Sequence, residues 1–413
     1  MASESHRFSV HLKKFFGLFV YMLIIGMFGG NIASATTVTI YPEADTEYSL
    51  DNGVNWIQYI NQFSGNINKT WVNSPRTATI ALGSGYPTNA YKGNTHTHSN
   101  DSVDAPTRTP EHTINHYAGM GYSFLALTEH NNFNTTLNQY NNASFIVLEA
   151  EENSATTDGG QHINVFNITH ITSSTTFTKQ QLINNVTSSG GLVFLNHPNW
   201  GGNHYTLAQM LTLQNYTGIE IYGVGGNAIA KWDSLLMTGR HIFGSSVDDS
   251  HDDSRDGFRW INVFASSLTN NTIISAIRDG KFYSVRGDYK NGSIIDMNIY
   301  PFEINNYSMG STLNFIYGNV TSNVTINSTE TIDTIQLIRI NSTDSRVIAS
   351  KINCAATLCN WVYSLTPTDT QENSTYRLYA KTKKTELWSN PIWLNRGYGL
   401  TGTIRGAVFC GVY

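Results

Sequence analysis

Six histidines stand beside or between carboxylates along residues 96–251 of this 413-residue chain. His96 and His98 lie two apart in the run Asn94-Thr-His-Thr-His-Ser99. Residues i and i+2 of a strand face the same side, so both imidazoles can reach one ion. Asp104 follows, then Glu129-His130, Glu151-Glu152, His162, His197-Pro198 and Asp249-Ser250-His251. Imidazole and carboxylate together suit zinc, iron or manganese. The set is too large for one ion, so two or three divalent ions (Mn, Fe or Zn) are expected. Paired ions bind the oxygens of a phosphate and bring the pKa of a bound water from about 15.7 toward about 7. The expected attacking group is therefore a metal-bound water, and no protein nucleophile is needed.

The elements that must position these residues follow from periodicity. Ser123–Thr128, Ser144–Ala150, Ile163–Ile168, Gly191–Asn196, Gly218–Tyr222 and the run from Ile242 to Val247 are short apolar stretches that read as buried strands. Between them lie amphipathic stretches. One opens at Thr109-Pro110-Glu111, an N-cap, a Pro at N1 and an acidic first turn, and ends near Gly119 and Gly121. Helices are also predicted at Lys179–Thr187, Leu207–Leu213, Asn227–Leu236 and Asn271–Arg278. This alternation predicts an α/β fold with parallel strands closed into a barrel, over residues 86–298. Nearly all the candidate ligands then fall at C-terminal strand ends, the rim where barrel active sites assemble. His112 and His116, at i, i+4 spacing on the first helix, could chelate zinc, but they lack a strand-end position and are read as ordinary surface histidines.

The same residues resemble a known family, the PHP (polymerase and histidinol phosphatase) superfamily. The resemblance rests on Lys92-Gly-Asn-Thr-His-Thr-His-Ser99, Asp104, Thr109-Pro110-Glu111, Leu127-Thr-Glu-His-Asn131, Glu151-Glu152, His162, Asn196-His197-Pro198, Gly218-Ile-Glu-Ile-Tyr222 and Asp249-Ser-His251, in that order. Gly257–Gly287 and Asn390-Pro-Ile-Trp393 resemble secreted members with a C-terminal β domain. The resemblance implies a PHP-type distorted (β/α)7 barrel and a metal-dependent phosphoesterase. His96, His98, Glu152 and Asp249 would bind the first ion or pair. His162, His197 and His251 would complete the cluster, and Asp104 and His130 match ligands of trinuclear members. Asp101 stands as an alternative to Asp104, and Glu151 to Glu152. Where the family usually has Asp, this chain has Glu129. Glu220 is a candidate for substrate contact or for support of a ligand, and Arg286, with Arg255 and Arg259, is a candidate phosphate binder through its fork of donors.

The rest of the chain sets the context. Arg7, Lys13 and Lys14 precede an apolar run, residues 15–30, and Ala33-Ser-Ala35 is a small-x-small cleavage pattern. Residues 1–35 are expected to be a signal peptide or an uncleaved signal anchor, which makes the protein secreted or extracellular, with membrane contact only through that anchor. Sequons at Asn68, Asn134, Asn167, Asn215, Asn323 and Asn373 fit an exported glycoprotein. Cys354 and Cys359 are close enough to pair in an oxidising compartment, leaving Cys410 over. Residues 36–85 read as a β segment. From 299 to 413, strands such as Val320–Ile326, Thr334–Ile340, Arg346–Ile352, Trp361–Leu365 and Thr375–Thr382 predict a β-sandwich. Only 13% of residues are charged and the net charge is -5. No basic stripe appears, so no nucleic-acid-binding surface is expected. The expected partner is a small-molecule phosphoester. The competing readings are a non-catalytic surface protein that retains a structural metal site, and metal-assisted hydrolysis of an amide or lactone on the same barrel.

Overall fold

The computed structural model describes residues 89–170, 172, 176–202, 204–287, 297–314, 320–354, 358–370 and 373–395, and the backbone of five short strands nearer the N-terminus. The chain divides into two compact units, Met1–Gly85 and Tyr86–Tyr413. In the first, His11–Lys13, Thr46–Ser49 and Ile57–Tyr59 form one antiparallel sheet, and Thr36–Thr39 pairs with Thr77–Ile80. The expected leader, apart from His11–Lys13, lies outside the described residues, as do Asn68 and Cys410.

The second unit opens with β1 (Asn89–Thr97), α1 (Pro110–Gly119), β2 (Phe124–Leu127), β3 (Ile146–Leu148), β4 (Ala150–Asn153) and β5 (Ile163–Phe166). It continues with α2 (Lys179–Ser188), β6 (Leu192–Leu195), α3 (Leu207–Thr212), β7 (Gly218–Gly223), α4 (Ile229–Leu236), β8 (Phe243–Ser246), β9 (Arg259–Ala265), α5 (Asn270–Arg278) and β10 (Phe282–Arg286). All five helices fall where the pattern places them, and their caps show why. The Thr109 side chain accepts from the His112 N–H, and Thr178, Thr206 and Thr269 each close a capping box. Helix α5 buries Ile273, Ile274 and Ile277 against the sheet, each worth about 1.5–3 kcal/mol of burial.

The architecture is mixed α/β, mostly sheet with few helices, and two expectations need correction. The predicted strand Ser144–Ala150 is two strands broken at Glu149. Strand β3 pairs with β2, whereas β4 pairs with β5 in another sheet. The strands are also not uniformly parallel. β1–β2–β3 and β6–β7–β8 run parallel, but β5 is antiparallel to both β4 and β6. The loop from Asn153 to Ile163 contains no helix, and a parallel crossover needs a dozen or more residues.

Two seams stitch these sheets together. Thr97 bridges Ser250 in parallel, with His98 N donating to Ser250 O (2.9 Å) and Asp249 N to His96 O (2.9 Å). His130 bridges Glu152, with Asn131 N donating to Glu152 O (2.8 Å) and Glu152 N to Glu129 O (3.1 Å). Every backbone group in these seams belongs to a candidate ligand or its neighbour.

Further strands are β11 (Met297–Ile304), β12 (Val320–Ser328), β13 (Ile332–Ile340), β14 (Ser345–Cys354), β15 (Leu358–Leu365), β16 (Ser374–Lys381), β17 (Glu386–Ser389) and β18 (Ile392–Asn395), beside three shorter ones, Gly226–Asn227, Tyr307–Ser308 and Thr312–Asn314. Strands β13, β14 and β16–β18 extend the sheet of β1, because β17 pairs with β10 (Tyr283 opposite Ser389). Strands β11, β12 and β15 form a separate sheet. Ile299, Phe302 and Val324 of that sheet share one apolar cluster with Ile335, Leu378 and Leu387 of the other. Cys354 and Cys359 are joined by a disulfide between β14 and β15.

Candidate metal centre

The end of strand β1 and the residue just past it bring His96 and His98 together, both fully buried, with their Nε2 atoms 3.2 Å apart. Two imidazole nitrogens that close, with two carboxylates beside them, are a cation-sized arrangement. Glu152 Oε2 lies 3.2 Å from His96 Nε2 and 3.3 Å from His98 Nε2, and Asp249 Oδ1 lies 3.2 and 3.4 Å from the same atoms.

Glu152 is the centre of the cluster. Its Oε2 also lies 3.1 Å from His130 Nδ1, while Oε1 lies 2.9 Å from His162 Nδ1 and 3.3 Å from His197 Nε2. One carboxylate thus faces five imidazoles. Oε2 is buried without a hydrogen-bond partner, as is His197 Nδ1. Farther out, Asp104 Oδ2 lies 3.1 Å from both His130 Nε2 and His251 Nε2. The nine expected ligands are therefore brought together. Three overlapping groups within them could each hold a metal ion: His96, His98, Glu152 and Asp249; His130, Glu152 and His162; and His98, His130 and His251.

The antiparallel strand explains His162. It stands just before β5, and because β5 runs against its neighbours, its start shares the rim with the ends of the others. Of the two open choices, Glu152 and Asp104 are the ones that face the imidazoles. Glu151 turns away to accept from Thr172 N (2.6 Å), and Asp101 accepts from Asn134 Nδ2 (2.6 Å).

A shell of buried polar groups fixes the imidazoles. Glu220 Oε1 lies 2.6 Å from His96 Nδ1, and a carboxylate accepts, so Nδ1 carries the proton and Nε2 is left for a cation. Its Oε2 accepts from the backbone N–H of His197 (2.6 Å). Glu220 therefore holds His96 and His197 and does not line the opening. Ser102 Oγ donates to Glu129 (2.6 Å), lies 3.3 Å from His98 Nδ1 and accepts from His130 N. The longer Glu129 reaches Ser99 and Ser102 in this way. Asn196 donates to Glu152 Oε1 (2.8 Å). His197 (φ 28°) and Asp249 (φ 48°) sit in the left-handed region, and His197 precedes a proline, which disfavours that conformation further. Such backbones cost about 1–3 kcal/mol each and are held where surrounding bonds over-determine them.

The protonation states divide in two. Burial alone would lower His96 and His98, but the Asp249, Glu152 and Glu220 carboxylates raise His96 well above its usual value, and Asp249 and Glu152 lift His98 to about 9. Burial would raise Glu152 and Asp249, yet His96 and its neighbours hold both well below the carboxylate range. At the opening, burial pushes His130 down to about 4 and lowers His251.

A cavity of about 490 Å³ opens above the cluster. Asp104, His130, His162, His197, Asp249 and His251 line it, with Trp200, Val224 and Arg255 at its sides. Trp200 is 48% exposed and packs edge-on to His197. Of the candidate phosphate binders, Arg255 lines this cavity, whereas Arg286 and Arg259 line another one. His112 and His116 meet Asp253 in a separate, exposed group.

Sequence reasoning missed several supports. Buried Arg108 donates from Nε to His98 O (2.9 Å), from Nη2 to Ser250 O (2.7 Å) and from Nη1 to Asp256 (2.7 Å), tying the ends of two ligand-bearing strands. His204 accepts from His162 N (2.9 Å). Neither lies in a periodic run, and only the adjacency of Arg108 to the Thr109 helix cap hinted at a structural role.

No family model and no curated protein matches the chain. Among solved structures, it is similar to a two-domain protein from Bacteroides vulgatus described as containing a predicted PHP-like metal-dependent phosphoesterase, at 12% identity and a TM-score of 0.40, over 74% of this chain and 94% of that one. It is also similar to PsfC from Pseudomonas syringae, at 10% identity and a TM-score of 0.34, over 46% of this chain and 87% of that one. At such distances the activity has to be argued from the chain's own residues.

Proposed function

We propose that the protein is an exported, metal-dependent hydrolase of phosphate esters. The observation that carries this reading is Glu152, one buried carboxylate facing five imidazoles within 3.3 Å. Buried groups of this kind are ordinarily paired, and divalent cations fit a set of nitrogen and carboxylate donors. His96, His98, Glu152 and Asp249 would hold one ion. His130, His162 and His197 would share Glu152 with a second, and Asp104 and His251 would complete a third position. When bound, the ions would neutralise phosphate charge and acidify water at the site.

The chain's own residues supply the rest. Glu220 and Ser102 fix the His96 and His98 rings with Nε2 turned inward. Arg255 offers the cavity a guanidinium for a phosphate oxygen, and Trp200 and Val224 offer an apolar wall to the esterified group. The two seams support reading β1, β2 and β4–β8 as the distorted seven-strand barrel of the PHP type. The two sheets packed beyond β10 support the β-sandwich, and the disulfide supports export.

Hydrolysis of nitrophenyl phosphate mono- and diesters by metal-loaded protein is the test. Turnover should disappear in Glu152→Ala and His197→Ala while both retain their fold. Unchanged turnover in both would defeat the site, and a metal-replete protein inert toward a broad phosphoester panel would favour a non-catalytic surface protein.

A further inference from the structure

A second cavity, of about 520 Å³, is lined by Phe258, Arg259, Arg286, Lys381, Lys383, Lys384 and Glu386, among others. Five cations against one carboxylate is a strong bias in a chain whose net charge is -5. The sheet builds it. Arg259 on β9 stands opposite Arg286 on β10, Arg286 opposite Glu386 on β17, and Glu386 opposite Lys381 on β16. Residues paired in register share a face, so these four form one row.

Like charges directly opposite destabilise a sheet, and the row contains such a pair. Both guanidinium groups gather over the Tyr222 ring, at 5.8 and 4.9 Å from its centroid. The single carboxylate is already engaged, since Glu386 accepts from Arg286 Nη1 (2.7 Å) and from the Tyr379 hydroxyl (2.7 Å). Arg259 Nε is buried with no hydrogen-bond partner. The turn from β16 to β17, closed by Thr382 N donating to Thr385 O (2.9 Å), holds Lys383 and Lys384 at the edge. Lys384 meets Glu330 at 3.5 Å, while Lys381 and Lys383 make no ion pair among the described residues.

We propose that this cavity is a second anion site, free of metal, that takes a small ligand bearing two or more phosphate groups. The volume is that of a small-molecule pocket. Paired guanidinium forks suit phosphate oxygens, and the lysines at the turn add point charges for a further group. Mono-anions would leave most of the cations unanswered, so affinity should rise with ligand charge. The site does not depend on the histidine cluster.

The test is calorimetric titration of the full-length protein with inorganic tripolyphosphate, after chelation and dialysis have removed metal. One saturable equivalent is expected, with inorganic monophosphate binding more weakly. Lys383→Ala/Lys384→Ala should weaken binding at least about tenfold. Glu386→Gln, which removes the competing carboxylate, should tighten it, a change that mere loss of structure would not produce. Circular dichroism checks that each variant is folded, and Lys381→Ala provides a second weakening variant. Absence of saturable binding in the wild type would overturn the site. So would binding left unchanged by all three variants, because the anion would then sit elsewhere. Metal content is measured separately, so failure here leaves the metal-centre reading standing.

Discussion

Replacing Glu220 by Gln perturbs the metal centre without touching any residue proposed to bind an ion. The carboxylate makes two bonds at 2.6 Å, one with His96 Nδ1 and one from the backbone of His197, a residue held at φ 28°. Gln keeps the shape and can still accept one bond, but the charge is gone. Hydrogen bonds to a charged group are worth about 1.5–3 kcal/mol and neutral ones about 0.5–1.5. For the His96 bond alone, the one that bears on the cation, the loss is therefore about 1–1.5 kcal/mol, or roughly tenfold in affinity, at the lower end of the 10–100-fold typical of groups that orient metal-binding histidines. The acceptor lost at His197 N adds to the fall in stability. Competition of metal-stripped protein against a chromogenic chelator measures it, with the unfolding temperature followed in parallel. Folded Glu220→Gln that binds metal within about twofold of wild type would refute the claim that Glu220 prepares His96 for a cation.

Two further outcomes follow from the buried charges. Because His96 is raised well above its usual value and His98 to about 9, both carry a proton at pH 7 in the metal-free protein and must lose it to bind an ion. Metal uptake should therefore release protons, at least one from His98, and apparent affinity should rise with pH up to about 9. Calorimetry in buffers of different ionisation enthalpy counts these protons, and a count of zero would contradict the assignment. Arg108→Ala leaves Asp256 without its 2.7 Å partner and should cost about 3–5 kcal/mol of stability by urea unfolding, with little recovery in Arg108→Lys, which lacks the fork that reaches four acceptors.

The clustering of the candidate residues was legible because most of them end short apolar strands, and strand ends of parallel sheets share a rim. Two-residue periodicity placed His96 and His98 on one side, and strand ends placed Glu152, His197 and Asp249. Direction was not legible. Nothing in Ile163-Asn-Val-Phe166 tells whether the strand runs with or against its neighbours, since its apolar pattern is the same both ways. His162 reaches the rim only because the strand runs backwards. Asp101 and Asp104 could not be separated by spacing, because the turn between them sets which one points inward. Glu220 was visible as a buried acid on β7, yet its choice of His96, 124 residues away, is a tertiary fact. Arg286 shows the opposite failure: its residue type fits phosphate, but its strand carries it to the second cavity. The continuation of β1's sheet into β16–β18 also depends on long-range pairing, here Arg286 with Glu386, that local patterning does not encode.

Metal counting tests the central claim most directly. Full-length protein reconstituted with Mn, Fe or Zn and freed of excess should retain at least two equivalents by elemental analysis, and Glu152→Ala, which removes the carboxylate shared by five imidazoles, should retain fewer. Less than one equivalent in the wild type with every one of those metals, or full retention in Glu152→Ala, would contradict it.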